Sequence, residues 1–157
     1  LDCGGQEDVV QELRALLWEA AGEYHWEAGE TEAAERYFAS CLGLQQACKF
    51  LVPQAVTQLR LSAIASAGRR LQDAERYAQE AVAVLERCSE LSRSHHQHLC
   101  EAYTALAAAR RQVGLVAKSF EANQKAYEHG KVAFQHMPAE LERVRQQYLD
   151  GVVGPRV

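Results

Sequence analysis

The sequence has few of the features that interrupt helices or build disulfide frameworks. Only three of its 157 residues are proline, and the alternating β-branched and aromatic blocks typical of strands are missing. Its five cysteines are an odd number and include no Cys-x-x-Cys pair. We therefore expect free thiols in a reducing, cytoplasmic compartment. No apolar run is long enough to span a bilayer, and no secretory leader pattern precedes the first helical segment.

Catalytic signatures are also missing. The sequence has no glycine-rich phosphate loop, no nucleophile elbow and no His-Glu-x-x-His motif. One cluster, His95, His96, His98 and Cys100, contains side chains that bind zinc. Consecutive helical residues project about 100° apart, so these four cannot converge on one ion from a single helix. We predict no metal, no cofactor and no enzymatic activity, unless a longer parent protein carries a catalytic domain elsewhere.

The residues that are abundant favour helices. Twenty-six are alanine, the best helix former. Helical periodicity divides the chain into three predicted pairs of helices, at about 7–48, 53–91 and 94–136, followed by a capping helix at about 138–150. A flexible end at 1–6 and a tail at 151–157 flank this single predicted domain. The connections are short, so successive helices are expected to be antiparallel neighbours.

Local signals predict the faces and ends of these helices. Thr31 is expected to cap the second helix, and Ser94 with Gln97 is expected to form a capping box on the fifth. Pro53 suits the first turn of the third helix. The turns within the pairs are predicted at Gly29, Gly68 and Gly114. The apolar line of the first helix consists of residues at i, i+3/i+4 spacing: Val10, Leu13, Leu17, Ala21, Tyr24 and Ala28.

The first predicted pair has a characteristic pattern of residue sizes, and the other two have it in degenerate form, with Ala78 and Asn123 at the aromatic position. It consists of a large residue, two small ones, a turn glycine, a small residue, an aromatic residue and a further small residue. Small residues let the second helix of a pair approach the first closely. The first pair carries the pattern as Trp18, Ala21, Gly22, His25, Gly29, Ala34, Phe38 and Cys41. The second has Leu61, Ser62, Ala65, Gly68, Ala74, Ala78 and Ala81. The third has Tyr103, Leu106, Ala107, Gly114, Ser119, Asn123 and Ala126.

This pattern resembles the tetratricopeptide repeat superfamily over residues 12–135. The resemblance implies an all-α fold, a right-handed α-α superhelix (solenoid) of three antiparallel helix pairs with a C-terminal capping helix. The turn glycines recur after 39 and then 46 residues, against about 34 in the standard repeat. These longer repeats are similar to those of kinesin light chain and related scaffolds. Stacking of the HEAT type, or of unrelated helical hairpins, is the structural alternative.

The resemblance also implies a function, because repeats of this family bind partner proteins in a concave groove lined by the first helix of each pair. The chain is therefore expected to be a protein-interaction scaffold without catalytic activity. Its candidate partner-binding residues are those at the groove positions of the repeat: Leu16, Glu19, Glu23, Trp26, Glu27, Leu59, Ala63, Ser66, Glu101, Thr104, Ala108, Arg111 and Gln112.

An acidic line on the first helix suggests what kind of segment binds. Glu19, Glu23 and Glu27 lie at i, i+4 and i+8, where each pair of like charges destabilises a helix by a few tenths of a kcal/mol. Beside Trp26, this line is interpreted as a wall that contacts a basic or amphipathic helical partner segment. An ordinary solvated helix face is the alternative.

Charge is unevenly distributed along the chain. The net charge of −4 argues against nucleic acid and membrane surfaces as partners. Residues 1–35 contain ten acidic residues and one base, a charge of −9, whereas residues 36–157 carry +5. These complementary regions make self-association into a homo-oligomer the second hypothesis, since open-ended repeat stacks can join head to tail.

Overall fold

The computed structural model describes residues 3–88 and 92–153, and within them the chain folds into α-helices without any strand. The all-α class predicted from the sequence is confirmed. In chain order the helices are α1 (Cys3–Glu27), α2 (Thr31–Cys48), α3 (Leu51–Ala67), α4 (Leu71–Glu86), α5 (Arg93–Gln112), α6 (Val116–Ala133) and α7 (Pro138–Val153).

The helices pack in the order of the chain. Each contacts the next, from α1 against α2 to α6 against α7, and α3 also contacts α5. Links as short as residues 49–50 join successive helices, so neighbours run antiparallel. This arrangement is a helical repeat solenoid in which α1–α2, α3–α4 and α5–α6 are the pairs.

Small residues bring the two helices of each pair together. Ala34, Ala74 and Ser119 begin the packed face of α2, α4 and α6, and all three are buried. The Ser62 hydroxyl donates a 2.7 Å hydrogen bond to the carbonyl oxygen of Ala74, and the Ser119 hydroxyl donates a 2.8 Å bond to that of Ala107. Larger side chains at these positions would force the helices apart.

The turns within the pairs define equivalent positions in the three repeats. Gly29 and Gly114 have positive φ angles of 79° and 87°, and in the second pair the corresponding residue is Arg69, with φ of 63°. Gly68, predicted as this turn residue, keeps a negative φ of −83°. The helix continues through Ala67, so the reversal falls one residue later than the glycine. Residues on α1 therefore correspond to those 40 positions later on α3 and a further 45 positions later on α5.

The helix caps differ from those predicted. Ser92 caps α5, because its hydroxyl accepts a 3.1 Å hydrogen bond from the backbone N–H of His95. Ser94 lies inside that helix, so the predicted capping box is wrong by two residues. Thr31 is the first residue of α2 rather than its cap, and the capping position, Glu30, makes no side-chain cap bond.

The apolar line predicted on α1 faces away from α2. Leu13, Leu17 and Tyr24 are exposed, whereas Ala15 and Gly22, on the opposite side of the helix, are buried. The periodicity correctly predicts a helix, but the contact of this helix with α2 includes two small residues, to which the pattern gives little weight.

Helix α7 covers one side of α6 at the C-terminal end of the array. Val144 is buried against Gly130, and Gly151 against Asn123. Gly151 lies within the helix, whereas the sequence predicted a tail from residue 151. The Asn123 side chain explains this continuation, because its Nδ2 donates a 3.0 Å hydrogen bond to the carbonyl oxygen of Tyr148.

Candidate protein-binding surface

The thirteen candidate residues lie on α1, α3 and α5, the first helices of the three pairs. All thirteen are exposed or half-buried, so they form the outward side of these helices rather than the core. Contacts join the three groups: Arg60 links α1 to α3, and the Ser66 hydroxyl donates a 3.2 Å hydrogen bond to Oε1 of Gln112 on α5. We call this outward side the α1–α3–α5 surface.

A cavity of about 300 Å³ opens between α1 and α3 beside Trp26. The indole of Trp26 is 38% exposed, and Glu27 and Ala63 complete the rim. Phe38 and Ile64 form its apolar floor. This Trp26 cavity combines an aromatic face with a carboxylate at its edge.

A second cavity, of about 420 Å³, lies between the same two helices nearer the start of α1. Leu16 and Val56, at equivalent positions of α1 and α3, face each other across it. Glu12 and Glu19 lie on its α1 side. We call it the Leu16 cavity. Apolar side chains, including Phe50, make up most of its wall.

Arg60 separates the two cavities and changes the charge of the predicted acidic line. Its guanidinium donates a 2.9 Å hydrogen bond to Glu19 and a second bond to Glu23, and it lies 5.9 Å from the ring centroid of Phe38. Two of the three acidic residues are therefore held by a cation from α3. Within the described residues, Glu27 makes no ion pair. The sequence reasoning missed Arg60, although the repeat register places it on the helix next to the acidic line.

In the third repeat the candidate residues are held by neighbours in the same array. The guanidinium of Arg111 donates a 3.1 Å hydrogen bond to the carbonyl oxygen of Gly151 on α7, and the Thr104 hydroxyl donates to the carbonyl oxygen of Cys100. Glu101 accepts a weak 3.4 Å bond from Gln97. Arg111 thus ties the end of α5 to the final helix.

The histidine cluster noted in the sequence is divided between different neighbours. Nδ1 of His96 lies 2.9 Å from Nδ1 of His129 on α6, and the His129 ring stacks on Tyr103 at 5.7 Å. Cys100 is buried against Val144 and Phe134 instead. Across residues 3–88 and 92–153, no three potential metal-ligating side chains come together.

Burial shifts the pKa of two groups beside the cluster, His129 and Tyr103. It lowers the pKa of His129, and the neighbouring His96 lowers it further. It raises the pKa of Tyr103, and the hydrogen bond that the Tyr103 hydroxyl donates to Glu86 raises it further. Both groups are therefore kept neutral near pH 7, which suits a packing role for the cluster.

Comparison with known proteins identifies the fold. No family model matches the chain, and no curated protein matches its sequence. In the part of the chain that the structure describes, no helix is both long enough and apolar enough to cross a bilayer. The crystal structure of BtubC (BKLC) from P. vanneervenii matches with a TM-score of 0.65 and 15% sequence identity, covering 94% of this chain and 69% of that one. BtubC is a kinesin light chain-like tetratricopeptide repeat protein, and this chain has a fold of the same tetratricopeptide type.

Proposed function

We propose that this chain is a non-catalytic protein-interaction scaffold that binds a segment of a partner protein along the α1–α3–α5 surface. The observation that carries the proposal is the Trp26 cavity, because four of the candidate residues line it: Glu23, Trp26, Glu27 and Ala63. An exposed indole beside a carboxylate is typical of protein-binding sites, where tryptophan is enriched among the residues that contribute most to affinity.

The chemistry of the cavity favours a basic side chain of the partner. The methylene groups of a lysine or arginine would pack on the apolar floor, while its charged end would reach Glu27 and the indole face. Arg60 also lines the cavity, where its positive charge is balanced by its bonds to Glu19 and Glu23. Glu27 is then the acidic group at the rim that can pair with the partner's cation. The Leu16 cavity, which is larger and mostly apolar, suits a hydrophobic side chain of the same segment.

A peptide-display experiment tests this function. A random peptide library is selected on the full chain, and recovered peptides are titrated against Trp26→Ala and Glu27→Lys. We expect basic, partly apolar peptides, and a loss of affinity of about thirtyfold in Trp26→Ala, as at other aromatic contacts of this kind. Glu19 and Glu23 are left unchanged, since their substitution would also break the contacts with Arg60.

The matched control is Glu32→Lys, which makes the same charge change on an exposed residue of α2. Binding should be unaffected apart from a small effect of net charge. Equal affinity of all four proteins, or failure to recover any peptide that competes at this surface, would contradict the proposal.

Self-association is the second candidate function, and the charge distribution favours it. The acidic first 35 residues include most of α1, whereas Lys118, Lys125 and Lys131 are exposed on α6 at the other end of the array. Light scattering at rising salt concentration tests it. Complementary charges predict oligomers at low salt that dissociate as screening increases. A monomer at low salt and high protein concentration would exclude this function.

A reducing, cytoplasmic location is part of the proposal. Among the described cysteines, Cys41, Cys48, Cys88 and Cys100 are all free thiols, and Cys41 and Cys100 are buried in the packed helices. A core of this size needs no disulfide for stability. Localisation of the tagged protein by microscopy, with cell fractionation as a second method, tests this part of the proposal.

A further inference from the structure

One side of α1 exposes a continuous series of apolar side chains. Within the part of the chain that the structure describes, no helix packs on them, although they follow helical spacing from residue 9 to residue 24, about 22 Å of helix. Monomeric proteins rarely leave such a surface in contact with water unless another element binds it. We call this series the α1 apolar stripe; its residues are Val9, Val10, Leu13, Leu17 and Tyr24.

The repeat register shows what kind of element is missing. Leu17 is 71% exposed, but the equivalent residues of the other two repeats, Thr57 on α3 and Ala102 on α5, are completely buried. The three residues occupy the same position on the first helix of a pair. The difference lies in their surroundings, because α3 is covered by α2 and α5 is covered by α4.

A second position, about two helical turns further along α1, gives the same result. Tyr24 is 68% exposed, whereas its equivalents Ile64 and Ala109 are 1% and 4% exposed. Two independent positions therefore show that the α1 apolar stripe is the surface on which, elsewhere in this molecule, the second helix of the preceding pair packs.

The helices that cover α3 and α5 indicate the residues that such an element needs. Phe38 and Leu42 of α2 pack in one cluster with Leu61 and Ile64 of α3. On α4 the equivalent apolar positions continue through Val82 and Leu85 into the largest cluster, which includes Leu99 and Leu106 of α5. On α4 the positions i, i+4 and i+7 are Ala78, Val82 and Leu85, whereas α2 has Phe38 and Leu42 with the buried Gln45 at the third position.

The charge of α1 indicates which charges a helix covering the stripe would carry at its edges. Helix α1 contains six acidic residues and one base, Arg14. By helical spacing Glu27 lies on one flank of the stripe, whereas Glu7 on the other flank is accompanied by the exposed Arg14. Only the flank with Glu27 is therefore acidic. A second copy packed α1 against α1 would bring two acidic helices together, which like-charge repulsion opposes.

We propose that the α1 apolar stripe binds an amphipathic helix of a separate partner protein, apolar at i, i+4 and i+7 and basic along the edge that faces Glu27. The partner helix takes the position that α2 occupies on α3. The apolar side chains of this site are on a different side of α1 from the Trp26 cavity, and the two sites share Glu27 at their border.

Three synthetic 20-residue helices test the proposal directly. The first has leucine at i, i+4 and i+7 with lysine flanks, the second has the same leucines with glutamate flanks, and the third has serine in place of leucine with lysine flanks. Each is titrated by fluorescence anisotropy against the full chain, Leu17→Ser, Tyr24→Ser and Trp26→Ala. Sedimentation of each protein at high concentration is measured in parallel.

We expect binding of the leucine–lysine helix alone, weakened about tenfold by Leu17→Ser and by Tyr24→Ser, since each removes a large apolar contact. Trp26→Ala should leave this binding unchanged, which separates the result from that of the peptide-display experiment. Equal binding of the serine–lysine helix would show attraction by charge alone and overturn the proposal. So would a dimer of the chain itself that Leu17→Ser dissociates, because a second copy would then occupy the stripe, and so would absence of binding.

Discussion

Gly22 of α1 lies directly against the ring of Phe38 on α2. A methyl group added at Gly22 would come within 2.8 Å of Cε1 of Phe38, closer than carbon atoms approach in packed proteins. Phe38 is 1% exposed and packs in the cluster around Leu61 and Ile64, so a shift of its ring would disturb that packing. This close contact explains why the residue in the middle of a 25-residue helix is a glycine, although glycine lowers helix stability.

We expect Gly22→Ala to lower the free energy of unfolding by about 1–3 kcal/mol, because overpacking outweighs the gain in helix propensity. Gly43→Ala is the matched control, since Gly43 lies inside α2 with no atom near its added methyl group. That substitution should raise the free energy of unfolding by up to about 1 kcal/mol. Urea denaturation of both variants makes the measurement, and an increase in stability for Gly22→Ala would contradict the contact.

Arg69 occupies a backbone conformation that favours glycine. Its φ of 63° is the counterpart of those of Gly29 and Gly114. Arg69→Gly should raise the free energy of unfolding by about 0.5 kcal/mol, since relief of the left-handed strain exceeds the entropy lost by a new glycine. Gly114→Ala, the reverse exchange at the equivalent turn, should lower it by about 1 kcal/mol. Thermal unfolding measures both changes. If the melting temperatures of the two variants shifted in the same direction, the two turns would not be equivalent.

The half-buried His129 predicts a loss of stability in mild acid. Burial, with His96 beside it, lowers its pKa in the folded protein, while Glu128 and Glu86 act in the opposite direction. Below pH 6.5 His129 binds a proton more readily in the unfolded chain than in the folded protein. The free energy of unfolding therefore decreases as the pH falls below that value. His129→Gln should reduce this dependence, and His136→Gln, an exposed control on the following link, should not. Urea denaturation between pH 5 and pH 8 measures this dependence. An unchanged slope of the free energy of unfolding against pH in His129→Gln would contradict the prediction.

The cysteines should differ in reactivity. Burial raises the pKa of both Cys41 and Cys100, which reduces the reactive thiolate and also blocks access. Cys48 and Cys88 are only half-buried. Iodoacetamide labelling followed by mass spectrometry should therefore modify Cys48 and Cys88 first, and the unfolded chain should be labelled at all sites alike. Labelling of Cys41 as fast as Cys88 in the folded protein would disprove this order.

The features that sequence predicted best depend on neighbours within one or two helical turns. The helix pairs, the small residues Ala34 and Ala74 and the short connections all follow from periodicity and side-chain size, which act locally. The three-pair solenoid and its likeness to tetratricopeptide folds were predicted for the same reason. The candidate surface residues were placed on the correct three helices by the repeat register, and their role in binding stays a prediction.

The features that sequence missed depend on which helix lies opposite. Arg60 neutralises part of the predicted acidic line, but nothing local to α1 shows that a cation from α3 reaches Glu19 and Glu23. The sequence predicted the second turn at Gly68, because glycine is favoured in turns. In the structure the turn residue is Arg69, because α3 continues through Ala67 before the chain reverses.

The sequence by itself determined that this chain is helical, that its helices pair and that the pairs repeat, because periodicity, alanine content and small residues act over a few turns. Only the tertiary structure decided which face of α1 is used. An apolar line such as Leu13, Leu17 and Tyr24 has the same pattern whether a helix covers it or water does. Burial depends on the presence of a neighbour, and a pattern within one helix carries no information about that neighbour.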